Sequence, residues 1–94
     1  MRERDVELYL ANAVKAMGGE CRKVKWIGRA GAPDRLVMLP PRAGGQFART
    51  LWVELKAPGE KAKPHQAREH NRMKAMGQCV VVVDSFERVD EVLR

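Results

Sequence analysis

Residues 51–66 read LWVELKAPGEKAKPHQ. The first six alternate: Leu51, Val53 and Leu55 form one apolar face of a β-strand, while Trp52, Glu54 and Lys56 share the other. Ala57 to Lys63, punctuated by Gly59, Glu60 and Lys61, reads as a loop. Pro64 then suits the first turn of a helix that continues to Met76 and stops at Gly77. The stretch thus predicts strand, loop and helix, with an acid and a lysine side by side at the strand's end. Such a pair on a half-buried strand must bind each other, bind something else, or be paired elsewhere. Taken alone it reads as an exposed ion pair worth about 0–1 kcal/mol.

Upstream, Val6, Leu10, Ala13, Val14 and Met17 recur at helical spacing from Glu3 to Met17, and Gly18-Gly19 ends the run. Cys21 to Ile27 alternates like a strand with one cationic face, and Gly28 to Pro33 is a turn. Asp34 introduces a short apolar strand, Arg35 to Leu39. Pro40 to Gly45 is a loop before a strand from about Arg49 to Lys56. Downstream, Cys79 to Asp84 is strongly β-prone and reads as too apolar for a sheet edge. A last helix spans Phe86 to Leu93. The order αβββαβα, with a strand–helix–strand connection, implies a parallel pairing within a mixed sheet flanked by helices, an α/β fold.

The 94 residues have room for one domain (1–94) with a modest core, and a second copy is expected to add binding surface. Eighteen Lys and Arg against 12 Asp and Glu give a formal charge of +6, which favours a polyanionic partner such as nucleic acid. No apolar run approaches membrane-spanning length, and the charged opening residues do not begin a signal peptide, so a cytoplasmic protein is expected. Cys21 and Cys79 show no zinc or CxxC spacing and read as buried free thiols of a reducing compartment.

Asp34 changes the weight of Glu54 and Lys56. Counted from the Pro40–Gly45 loop, Asp34 and Glu54 fall at the remote ends of hairpin partners, where they meet. Two carboxylates and a lysine converging at one sheet end make a hard-oxygen site for a divalent cation. Glu7 lies about 20° from Val14 on the helical wheel, inside the apolar arc, where an acid is costly unless it meets a cation, a metal-bound water or a lysine, or lies at the edge of the stripe and reaches solvent. Gln66 stands in the first turn of the second helix, where free N–H groups favour anions; alone it reads as a surface residue. His65 beside it is in reach of a phosphate, but a histidine at a helix start commonly has no role.

The ordered set Gly31-Ala32-Pro33-Asp34, Glu54-Leu55-Lys56 and Lys63-Pro64-His65-Gln66 resembles the PD-(D/E)xK nucleases, and most of all their VRR-NUC branch, the virus-type replication and repair nuclease domain. The resemblance covers nearly the whole chain. It implies a restriction-endonuclease-like core in which Asp34, Glu54 and the Leu55 carbonyl hold Mg²⁺ or Mn²⁺ and Glu7 completes the metal shell. Lys56 orients or activates the attacking water, supported by Gln66. Lys63 departs from the serine or threonine that often caps the glutamine helix in such domains.

Lys23, Lys25, Arg29, Arg35, Lys61 and Lys63 flank these acids and are placed to track a DNA backbone, with Arg42 and Arg49 nearby. The resemblance implies a phage-like homodimer acting on branched DNA such as four-way junctions or flaps. Two other readings remain open: a nucleic-acid-binding dimer that keeps the fold without catalysis, and a module whose basic face binds an acidic protein.

Overall fold

The computed structural model describes residues 1–94. Its elements are α1 (Glu3–Ala16), β1 (Glu20–Lys23), β2 (Arg35–Leu39), β3 (Arg49–Leu55), α2 (Pro64–Ala75), β4 (Val80–Val83) and α3 (Phe86–Leu93). One sheet runs in the order β1-β2-β3-β4. The first two pairings are antiparallel, and the third, across the α2 connection, is parallel.

The core lies on the face of the sheet that carries Val37, Leu39, Leu51, Val53 and Leu55. Val6, Leu10 and Val14, spaced by four residues along α1, pack onto it with Val89 and Leu93 of α3. Each fully buried aliphatic side chain contributes about 1.5–3 kcal/mol. α1 and α3 are joined further by stacked Tyr9 and Phe86 rings, with centroids 4.3 Å apart, and by the Tyr9 hydroxyl donating to Asp90 Oδ1 at 2.8 Å. That bond raises the phenol above its ordinary value. α2 covers the opposite face, where Met73 and His70 are buried.

Three expectations are corrected. The first strand is shorter than Cys21–Ile27. Beyond the Val24 N–H, which still bonds the Asp34 carbonyl, the chain leaves the sheet because the Trp26 indole donates to the Pro33 carbonyl at 2.8 Å and packs on Trp52. The valine strand β4 does form an edge. Its apolar character reflects helices packed on its faces, and face coverage is independent of whether the outer hydrogen-bonding edge is paired. Cys79 is exposed rather than buried, since it precedes β4 in the connection from α2, and Cys21 is half-buried; both are free. No helix is long and apolar enough to cross a membrane.

Candidate active site at the sheet end

The ladder that pairs Arg35 with Val53 places Asp34, one residue earlier, opposite Glu54. Both acids therefore lie at the same end of the β2–β3 pair. Glu54 is buried, and its Oε1 has no hydrogen-bond partner; nor does Asp34 Oδ1, also buried. Burial first, and then the Asp34 charge, pushes the Glu54 carboxyl up to about 7, with Lys56 opposing. Lys56 is itself buried, and no carboxylate stands within ion-pairing distance of it. Glu54 and Lys56 are thus not an ordinary exposed ion pair.

The loop carrying Asp34 is clamped from two sides. Gly31 has φ +84°, and a Cβ there would stand 2.9 Å from the His65 carbonyl oxygen and 3.2 Å from Gln66 Cα. Only glycine both adopts that conformation easily and leaves room for the turn to lie against the start of α2. Pro33 is fully buried, and its carbonyl accepts the Trp26 indole N–H. Asp34 is consequently held by the second helix as well as by its own strand.

Arg35 takes a role other than the one expected. The Arg35 side chain is buried and pairs with Glu7 through one nitrogen and with Asp34 Oδ2 through another, at 3.1 Å. It is not free to contact a phosphate backbone, because its guanidinium is consumed inside the fold. Glu7, expected in the metal shell, is half exposed and pairs with Arg35 through one carboxylate oxygen. Glu7 therefore joins the site through Arg35, which also takes one Asp34 oxygen and leaves Oδ1 free.

Gln66 Oε1 accepts the Lys63 N–H at 2.9 Å, capping the helix from inside its first turn. This supplies what the Lys63 side chain does not. Lys63, Lys61 and His65 are exposed at the start of α2, as are Lys23, Lys25 and Arg29 on the preceding segments. Arg29 is partly engaged, 3.6 Å from the buried Glu69, which also binds Arg72 at 2.7 Å. Ile27, 94% exposed, projects between Lys25 and Arg29.

His70 stands one turn beyond Gln66 on α2. In the structure its Nε2 is buried without a hydrogen bond, 3.6 Å from Glu54 Oε1. Burial holds the imidazole below its ordinary value, Lys74 adds to this, and the backbone at Gly31 opposes it. The only sequence signal was a polar residue at a core-facing helical position.

None of the five surface depressions of the molecule is lined by Asp34, Glu54 or Lys56. No three His, Cys, Asp or Glu side chains gather into a self-sufficient metal cage. Mg²⁺, however, is usually held by one or two carboxylates with waters and substrate phosphates. Two opposed carboxylates with unengaged oxygens, next to the Leu55 backbone carbonyl, fit such an open site.

An acid before one strand facing an Glu-x-Lys at the end of its neighbour, on a mixed sheet between helices, defines the PD-(D/E)xK nuclease fold. Comparison with models of known protein families finds no match. A solved structure described as "VRR_NUC domain" superposes with a TM-score of 0.81 at 41% identity, covering 97% of this chain and 92% of that one. A second, "VRR_NUC domain protein", shares the fold at 21% identity and a TM-score of 0.69, over 99% of this chain and 85% of that one. The chain is also 45% identical over 85 residues, 90% of its length and 85% of the relative's, to "Putative nuclease p44" of Acyrthosiphon pisum secondary endosymbiont phage 1. The chain belongs to the VRR-NUC family of nucleases.

Proposed function

We propose that this protein is a divalent-metal-dependent endodeoxyribonuclease that hydrolyses phosphodiester bonds of branched DNA, four-way junctions or flaps, as a homodimer. The observation that carries the reading is the pair of carboxylates on Asp34 and Glu54, set opposite each other by the β2–β3 register, beside a buried Lys56 that no carboxylate pairs. Two acids so close repel, and one protonates unless a cation sits between them. Asp34, Glu54 and the Leu55 carbonyl are the residues that would hold Mg²⁺ or Mn²⁺; Glu7, like Asp34, gives one oxygen to Arg35 and keeps the other to complete the shell. The bound cation supplies Lewis-acid charge at the scissile phosphate.

Lys56 places a fixed ammonium on the same strand face as Glu54, where it orients a water for attack and adds positive charge to the developing transition state. Asp34 keeps its orientation through Arg35, and Gln66 fixes the α2 start against the Gly31 turn. The leaving 3′ oxygen takes its proton from solvent. Lys23, Lys25, Arg29, Lys61, Lys63 and His65 offer exposed cationic or polar groups on both sides of the acids, which supports salt-sensitive contact with a DNA backbone. So little surface remains for base edges that shape, rather than sequence, selects the substrate.

The open edge of β4 and the small size of the core favour a second copy, and two-fold symmetry suits a two-fold junction. The phage origin of the relative supports action in the cytoplasm of a host cell. The test is cleavage of matched four-way junction, flap, duplex and single-stranded substrates with Mg²⁺ or Mn²⁺, with Asp34→Asn alongside. Metal-dependent cuts at the branch, lost in the variant, are expected. Junction binding without any cutting would contradict catalysis and leave a DNA-binding dimer.

A further inference from the structure

We propose that His70 is a positioning residue for Glu54: its Nε2–H holds Glu54 Oε1, so that the other carboxylate oxygen is presented to the cation. The proposal rests on the metal-site reading above. Its evidence is a pair of complementary orphans. The His70 and Glu54 side chains are 5% and 8% exposed, their Nε2 and Oε1 stand 3.6 Å apart, and neither atom has a hydrogen bond. A buried polar atom left unpaired costs roughly 1–3 kcal/mol, so a residue chosen only to pack here would be aliphatic. A closure of about half an ångström brings the pair to hydrogen-bond distance.

The surrounding scaffold is built to hold the ring. Met73, one turn further along α2, is buried, and the helix start is pressed against the Gly31 turn. His70 thereby links the helix that clamps the Asp34 loop to the strand that carries Glu54. With Glu54 ionised, as a cation ligand must be, the bond needs the ring proton on Nε2. Glu54 Oε2 is not sealed in the way Oε1 is, which leaves it for the cation. Polar partners that orient ligating carboxylates commonly affect metal affinity about 10–100-fold.

The experiment is Mn²⁺ binding by titration calorimetry to the whole protein as wild type, Glu54→Gln, His70→Leu and His70→Gln. Binding is expected in the wild type and absent in Glu54→Gln. His70→Leu should lose about 10–100-fold, and His70→Gln, whose amide N–H reaches the same oxygen, should recover most of it. Wild-type affinity in His70→Leu overturns the proposal while leaving the metal site standing. Equal loss in both His70 variants overturns it too, since packing would then be what matters. No binding by the wild type removes the metal reading and this proposal with it. If His70→Leu does not fold, long-range proton–nitrogen NMR of the wild-type ring with Mg²⁺ decides. A protonated Nε2 supports the proposal, and a bare Nε2 overturns it.

Discussion

At the end of β3 its two faces are buried to nearly the same depth and have opposite consequences. On one, Leu51, Val53 and Leu55 are at most 3% exposed against Val6, Leu10 and Val14, and nothing polar is stranded. On the other, Glu54 and Lys56 are 6% and 8% exposed, yet Glu54 Oε1 lacks a partner and its carboxyl is held near neutral pH by burial and Asp34. One face holds the fold together. The other, which carries the proposed site, strands polar groups at a cost to stability.

Substitutions on the two faces should therefore separate activity from stability. Asp34→Asn is expected to reduce cleavage by about 100–1000-fold or more without lowering the unfolding temperature, as a rate assay and a thermal melt would show. Leu10→Ala should do the reverse. Truncating a fully buried leucine costs about 2–5 kcal/mol, visible in urea titration, and protein that remains folded should keep its specific activity. Equal loss of both properties in both variants would erase the distinction between the faces.

The pH dependence of the metal-free protein sharpens it. In the fold Glu54 keeps its proton up to about 7, whereas in the unfolded chain it ionises near 4.5. Between those values the native state binds the extra proton, so stability falls as pH rises. The loss is on the order of 3 kcal/mol by alkaline pH. His70, depressed by burial, acts in the opposite sense, losing stability as pH falls. Melts of wild type and Glu54→Gln across pH isolate the Glu54 part, and Glu54→Gln should be the more stable of the two above neutrality. The smallest effect lies far from either face. Ser85 Oγ accepts the Arg88 N–H at 3.0 Å and caps α3, so Ser85→Ala should cost about 1 kcal/mol and leave cleavage unchanged.

Much of this was legible in the chain because periodicity reports faces. The alternation of Leu51–Lys56 and the four-residue spacing of Val6, Leu10 and Val14 identify the elements, and hairpin register places Asp34 opposite Glu54. What periodicity does not carry is the partner of a charged side chain. Arg35 reads as one more surface cation, yet it is buried between Glu7 and Asp34. His70 reads as an imperfect core residue until Glu54 is seen beside it. Edge position was also invisible, since the apolar β4 reports covered faces and not its open flank. Trp26, whose indole hydrogen bond pulls the chain out of the first strand, depends on a contact seven residues away that alternation cannot show.

On the proposed function, the charged face of β3 holds a divalent cation through Asp34 and Glu54. Its most direct test is the unfolding temperature of chelator-treated protein, above neutral pH, as Mn²⁺ is added to wild type and to Asp34→Asn. A ligand that binds only the folded state raises stability with its concentration. A progressive rise is expected in the wild type and none in Asp34→Asn. No rise in the wild type, or the same rise in both, would contradict it.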